Sequence, residues 1–238
     1  MIYSIVQNKG GVGKSTLCIN FAECLAKLGK KVLIVDTDAQ ANSTSYFGIE
    51  QGTLYDSMIG DDKTPLQVVA TVNPNIFIVP ADLRLSDCEY SLSQRIAREQ
   101  ILSNKLEPLK NKFDCIVIDT APNLGVLTIN AILSADALLI PIVPEPFSIQ
   151  GFNMINNMLT RLSTIRKTQI PYRLIMTRTK NTALHKETID QMKKAYGNLV
   201  LETHIKESIG YAEQSLGQGA KKNTYEYLSL TDEIIKAF

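Results

Sequence analysis

Residues 2–16 read IYSIVQNKGGVGKST. Residues 2–7 form a short apolar run rich in β-branched side chains, the pattern of a buried strand. Residues 8–13 then hold three glycines in six positions. After them, Leu17, Phe21, Leu25 and Leu28 fall at spacings of three and four, a helical stripe that Gly29 closes. A glycine-rich turn between a strand and a helix lets successive backbone N–H groups converge on one anion at the positive end of the helix. The backbone of Lys9, Gly10, Gly11, Val12 and Gly13 therefore reads as a phosphate cradle. Lys14 can reach β- and γ-phosphate oxygens, the Ser15 hydroxyl can ligate Mg²⁺, and Thr16 is placed for an α-phosphate. The strict pattern GxxxxGK[ST] is not met, because Asn8 stands at its first position and Lys9 is an additional lysine.

Further apolar runs occur at residues 31–36 (KVLIVD), 76–80 (IFIVP), 115–119 (CIVID), 137–141 (ALLIP) and 172–176, with a last short one at 200–203. Helical patterns lie between them, at 86–109, 124–135, 149–165 and 182–196, and a final one spans 224–238. Continuous apolar strands alternating with helices predict an α/β fold: a mostly parallel, doubly wound sheet with helices on both faces. No repeat, low-complexity tract or linker divides residues 1–238, so one domain is expected. In such sheets ligands gather beyond the carboxyl ends of the strands. Asp36 and Asp38 end the second run and Asp119 ends the CIVID run. Asp119 is the expected Walker B acid at the metal, Asp36 a support of the metal shell, and Asp38 the candidate for positioning an attacking water.

The chain has 238 residues, with 25 Lys and Arg against 24 Asp and Glu. A net charge of +1 fits neither a globally basic nucleic-acid protein nor an acidic tail. The charge is uneven: residues 1–150 carry net −4 and residues 151–238 carry net +5. The four cysteines, at 18, 24, 88 and 115, have no CxxC spacing, which argues against a zinc site and a disulfide scaffold. The N-terminus lacks the pattern of a secretory signal, and no run reaches the ~18 apolar residues of a spanning helix. A cytoplasmic protein with reduced thiols is expected.

KGGVGKST, VDTDAQ and VIDTAPNLG together resemble the ParA/MinD group of deviant-Walker ATPases. VDTDAQANST (residues 35–44) resembles the VDxDPQxNxT of ParA-type partition ATPases, with Ala39 where proline is usual. DTAPNLGVLTINAILSAD and PIVPEPFSIQG are also similar to that type. The resemblance implies ATP and Mg²⁺ as ligands and a homodimer with ATP at its interface. It implies that Lys9 crosses to the partner's phosphates, as an arginine finger does. It places Glu145 near that interface, Thr177 and Arg178 in the nucleobase loop, and Ile205 and Lys206 beside the adenine pocket. It further implies nonspecific DNA binding by the ATP dimer through the basic C-terminal half, with Arg178, Lys180, Lys186, Lys193, Lys194, Lys206, Lys221 and Lys222 as candidates. A separate ParB-like centromere-binding adaptor is then expected to stimulate hydrolysis, with the protein nucleoid-associated when ATP-bound. Since the sequence starts at the first strand, the small type without an N-terminal helix-turn-helix is expected.

Three other functions are compatible with a loop of this kind. A MinD-like membrane-cycling ATPase needs a basic amphipathic C-terminal helix. Residues 224–238 hold one lysine and three acids, and Tyr227, Leu228, Leu230, Ile234, Ile235 and Phe238 are expected to pack on the core, so no membrane is expected. An iron–sulfur protein of the same loop type needs interfacial cysteines, and these four read as core. A ParA-like ATPase that positions a non-DNA cargo has the same sequence demands as DNA partition, because the adaptor chooses the cargo.

Overall fold

The computed structural model describes residues 1–61, 63–146, 148–208, 210 and 224–238. Seven strands form one sheet: β1 (Ile2–Ile5), β2 (Val32–Asp36), β3 (Val69–Ala70), β4 (Ile76–Val79), β5 (Cys115–Asp119), β6 (Ala137–Ile142) and β7 (Tyr172–Met176). Their order is β3-β4-β2-β5-β1-β6-β7. Every pairing is parallel except β3 with β4. The long parallel strands read as unbroken apolar runs because both faces of the sheet are covered.

The alternation of side chains along the strands feeds two cores. On one face, Tyr3, Ile5, Ile34 and Val117 pack against α1 (Lys14–Lys27) through Leu17, Phe21 and Leu25. The ring of Phe21 meets Tyr3 edge-on at 5.1 Å. The last helix, α9 (Thr224–Ala237), joins that face by burying Tyr227, Leu230 and Ile234, with Leu228 and Phe238 partly buried against them; Ile235, also expected in the core, is instead exposed. On the other face, Val6, Leu33, Val35, Ile118 and Ile140 pack with residues of α3 (Leu54–Ile59), α4 (Cys88–Leu92), α5 (Ile101–Leu106), α6 (Val126–Ser134) and α7 (Ser148–Arg166). The described residues also form the short α2 (Asn42–Tyr46) and the longer α8 (Ala183–Tyr196). All four cysteines are buried.

Two expectations are corrected. The helical pattern over 86–109 is not one helix but α4 and α5 with 3₁₀ turns around them. Ala97 adopts φ 53°, which interrupts the helical path. Asn130 of α6 fixes the break from the side, accepting from the Leu102 N–H at 3.0 Å and donating to the Arg98 carbonyl at 2.8 Å. Arg95 ties the same segment to the carbonyls of Met58 and Gly60, each at 2.9 Å. Tertiary hydrogen bonds thus outcompete local helical propensity. The run at 200–203 makes only an isolated bridge, Leu174 with Val200, because Glu233 of α9 takes the N–H groups of Glu202 and Thr203. The elements α2, α3 and β3 coincide with none of the apolar or helical patterns read from the sequence.

Candidate functional site

The loops after β1, β2, β5, β6 and β7 meet at one edge of the sheet. Gly11 and Gly13 have φ of 71° and 89°, a region that side chains with a Cβ rarely adopt. Gly13 is the N-cap residue of α1 and no side chain caps that end. The first amides of α1 are thus left for an anion.

Lys14 is buried at 7% exposure, and its ammonium donates to the Lys9 carbonyl at 3.3 Å. Burial lowers its pKa, while the carboxylates of Asp119 and Asp38 act in the opposite sense. A buried cation facing two acids across a glycine loop is poised for phosphate oxygens. The side chain of Lys9 does the reverse. It points out, is 59% exposed, and pairs with Glu145 at 2.5 Å.

Asp36 and Asp119 are register partners on adjacent strands, and both are fully buried. They are used differently. Asp36 accepts from the Asp38 N–H at 3.1 Å and from the Thr44 N–H and hydroxyl at 2.9 and 2.8 Å. Its carboxylate is occupied in fixing the turn around Asp38. Asp119 accepts from the Ser43 hydroxyl through Oδ2 at 2.7 Å, and its Oδ1 is buried with no hydrogen-bond partner among the described residues. An orphaned carboxylate oxygen beside Lys14 suits a divalent cation, and Ser15 and Asp119 fit such a group better than Asp36 does. Asp38 is 6% exposed, and its Oδ1 accepts from the Gln40 N–H at 2.9 Å.

Burial pushes both strand-end carboxyls up, with the charge of Asp119 adding to the effect on Asp36; at Asp119 the Ser43 hydroxyl opposes burial. Folding therefore favours the protonated pair. Stability from this source is full below the ordinary carboxylate range and is lost as pH rises through the raised folded value. The nucleotide-free protein is expected to unfold at lower urea at about pH 8 than at about pH 5, because each tenfold gain in proton affinity on folding is worth ~1.4 kcal/mol. Asp119→Asn removes half of the pair and flattens that slope. An equal slope in both proteins contradicts the assignment.

The loop after β7 clamps the phosphate loop from outside. Thr177 is buried and donates through Oγ1 to the Val12 carbonyl at 2.9 Å. Arg178, at φ 50°, donates to the Gly11 carbonyl at 2.6 Å and pairs with Glu207 at 2.7 Å. Ile205 and Lys206 lie alongside, through the Thr179–Lys206 bridge and the bond from the Thr179 N–H to the Ile205 carbonyl. The expected nucleobase residues are thus brought together beside the glycine loop. Several basic candidates on the C-terminal half are paired internally: Lys180 with Glu207, Lys193 with Glu202 and Lys206 with Glu226. Lys186 and Lys194 lie on α8, whereas Lys221 and Lys222 lie outside the described residues. Sequence reasoning passes over Ser43, Thr44 and Glu207. The hydroxyl run NSTS at 42–45, directly after VDTDAQA, is the available signal for the first two.

Residues 1–172 match the AAA domain family. The chain is 34% identical to the sporulation initiation inhibitor protein Soj of Bacillus subtilis, over 89% of this chain and 86% of Soj. It is 34% identical to the chromosome-partitioning ATPase Soj of Treponema pallidum, over 87% and 83% of the two chains. Among solved structures, a plasmid partition protein of Borrelia burgdorferi bound to AMPPNP superposes with a TM-score of 0.82 at 29% identity, covering 100% of this chain and 97% of that one. No described helix is long and apolar enough to cross a membrane. With its glycine loop, buried Lys14 and strand-end acids in the places described, the chain belongs to the ParA/Soj group of P-loop ATPases.

Proposed function

We propose that the chain is an Mg²⁺-dependent ATPase of DNA partition that works as an ATP-bridged homodimer. The carrying observation is the division between its two loop lysines. Lys14 is turned into the cradle, whereas Lys9 is turned out to solvent and rests on Glu145. A second cation held outside the pocket cannot serve the phosphates of its own cradle as Lys14 does, but it can reach those of a facing copy.

Within one protomer, the amides of residues 10–15 and the Lys14 ammonium bind the β- and γ-phosphates. Asp38 orients a water for in-line attack on the γ-phosphate and accepts its proton, giving ADP and phosphate. A divalent cation held by Ser15 and Asp119 would offset charge on the phosphate oxygens. Lys9 of the facing copy adds positive charge where the transition state gathers negative charge. Closure of this sandwich aligns two basic C-terminal halves, each net +5, for the phosphates of arbitrary DNA. A ParB-like adaptor then stimulates hydrolysis and the dimer separates.

The test is DNA binding in ATP and in ADP across salt. Binding to arbitrary duplex is expected with ATP only, falling by ~10³-fold or more between ~50 and ~200 mM salt if six or more phosphates are neutralised. Lys9→Ala is expected to keep ATP binding, measured with a fluorescent analogue, and to lose both the dimer in light scattering and the DNA complex. A normal dimer in that variant contradicts the trans role of Lys9. A dimer that ignores DNA at every salt concentration contradicts partition of DNA and turns the search to another cargo.

A further inference from the structure

The first turn of α2 presents two neighbouring hydroxyls to two neighbouring carboxylates. Thr44 bonds Asp36 and Ser43 bonds Asp119. Ser43 is fully buried, at 0% exposure, so no bulk water competes for its hydroxyl. The Ser43 O–H donates to Asp119 Oδ2 in this 2.7 Å contact, the only direction open to it once Asp119 is ionised against a cation. Its bond therefore divides the two oxygens of Asp119: Oδ2 belongs to the protein, and Oδ1 is left buried and unpartnered among the described residues. Cys18 of α1, whose thiol pKa burial pushes up, lies within hydrogen-bond reach of the same hydroxyl.

We infer that Ser43 is a positioning residue for the divalent cation, fixing the Asp119 carboxylate so that Oδ1 is the atom that meets the metal. The inference rests on the Mg²⁺–ATP function proposed above and assigns a residue outside the glycine loop to it. Without the hydroxyl, Asp119 loses the donor that fixes Oδ2, and Ser15 is left as its hydroxyl neighbour. A partner of this kind, one bond removed from the metal, is worth ~10–100-fold in metal affinity.

The test is a titration of a fluorescent ATP analogue at graded Mg²⁺, with EDTA as the metal-free arm. Four proteins are compared: the unmodified chain, Ser43→Ala, Asp119→Asn and the double variant. Ser43→Ala is expected to leave affinity in EDTA unchanged and to raise the Mg²⁺ needed for half-maximal enhancement by about tenfold. In the Asp119→Asn background, Ser43→Ala is expected to add nothing, because the group it positions is gone. Ser43→Thr keeps a hydroxyl and is expected to restore the Mg²⁺ response. Unchanged Mg²⁺ dependence in folded Ser43→Ala overturns the inference. So does an equal loss in EDTA, which makes Ser43 a support of the loop alone, and so does a full Ser43→Ala effect in the Asp119→Asn background. Mg²⁺-independent nucleotide binding by the unmodified chain overturns the Mg²⁺ assignment itself, and this inference with it.

Discussion

Lys14→Ala loses nucleotide binding, with affinity for a fluorescent ATP analogue expected to fall by ~10²–10³-fold, the effect of removing a charged donor from a preorganised anion site. The size follows from where Lys14 sits. At 7% exposure its ammonium is already stripped of most water, and its hydrogen bond to the Lys9 carbonyl is a long one, 3.3 Å. Burial lowers its pKa, and Asp119 and Asp38 oppose that shift. Phosphate oxygens entering the cradle give that cation closer partners, so little desolvation remains to oppose binding. Lys9→Ala serves as the control, since its side chain lies outside. Circular dichroism separates a lost site from a lost fold. Retained affinity in folded Lys14→Ala contradicts the phosphate-loop assignment.

The parts of the fold visible in the sequence are those where one local signal settles the outcome. Residues 115–119 are apolar up to a terminal Asp, and β5 spans the same five positions. Thr182 precedes an amphipathic run, and it caps α8 by accepting from the His185 N–H. The glycine loop was legible because its backbone geometry needs glycine at Gly11 and Gly13. The rest depended on contacts distant in sequence. The break at Ala97 is fixed by Asn130, more than 30 positions away, and no periodicity reports it. The unequal use of Asp36 and Asp119 was hidden for the same reason. Both end apolar strands in the same way, and only the fold shows Thr44 filling one carboxylate while Ser43 leaves half of the other free.

Asp38→Ala is expected to lower ATP turnover by ~10²–10⁴-fold, the range for a group that positions and deprotonates the attacking nucleophile, while leaving ATP affinity in place. Geometry distinguishes Asp38 from the two acids beside it. Asp36 accepts three hydrogen bonds from its own chain, so its loss damages the turn. Asp119 has an oxygen without a hydrogen-bond partner among the described residues, so in the proposed metal role its loss weakens Mg²⁺-dependent binding. Asp38 lies in the turn beyond the strand, with one oxygen anchored by the Gln40 N–H and its main-chain carbonyl by the Ala41 N–H. Ala41 takes φ 52° to complete that turn, which holds the carboxylate near Lys14 without tying up both oxygens. A group so placed acts on what enters the cradle rather than on the fold. If it serves the water, its removal stops the cycle after ATP has bound and the two copies have closed. The variant should therefore elute as a dimer in ATP and as a monomer in ADP, and its ATP-dependent DNA complex should outlast that of the unmodified chain. Phosphate release, size-exclusion with light scattering and DNA retention read the three consequences separately. Unchanged turnover removes Asp38 from the reaction. Lost turnover together with lost ATP affinity makes it a binding residue and moves the water-positioning role to another group.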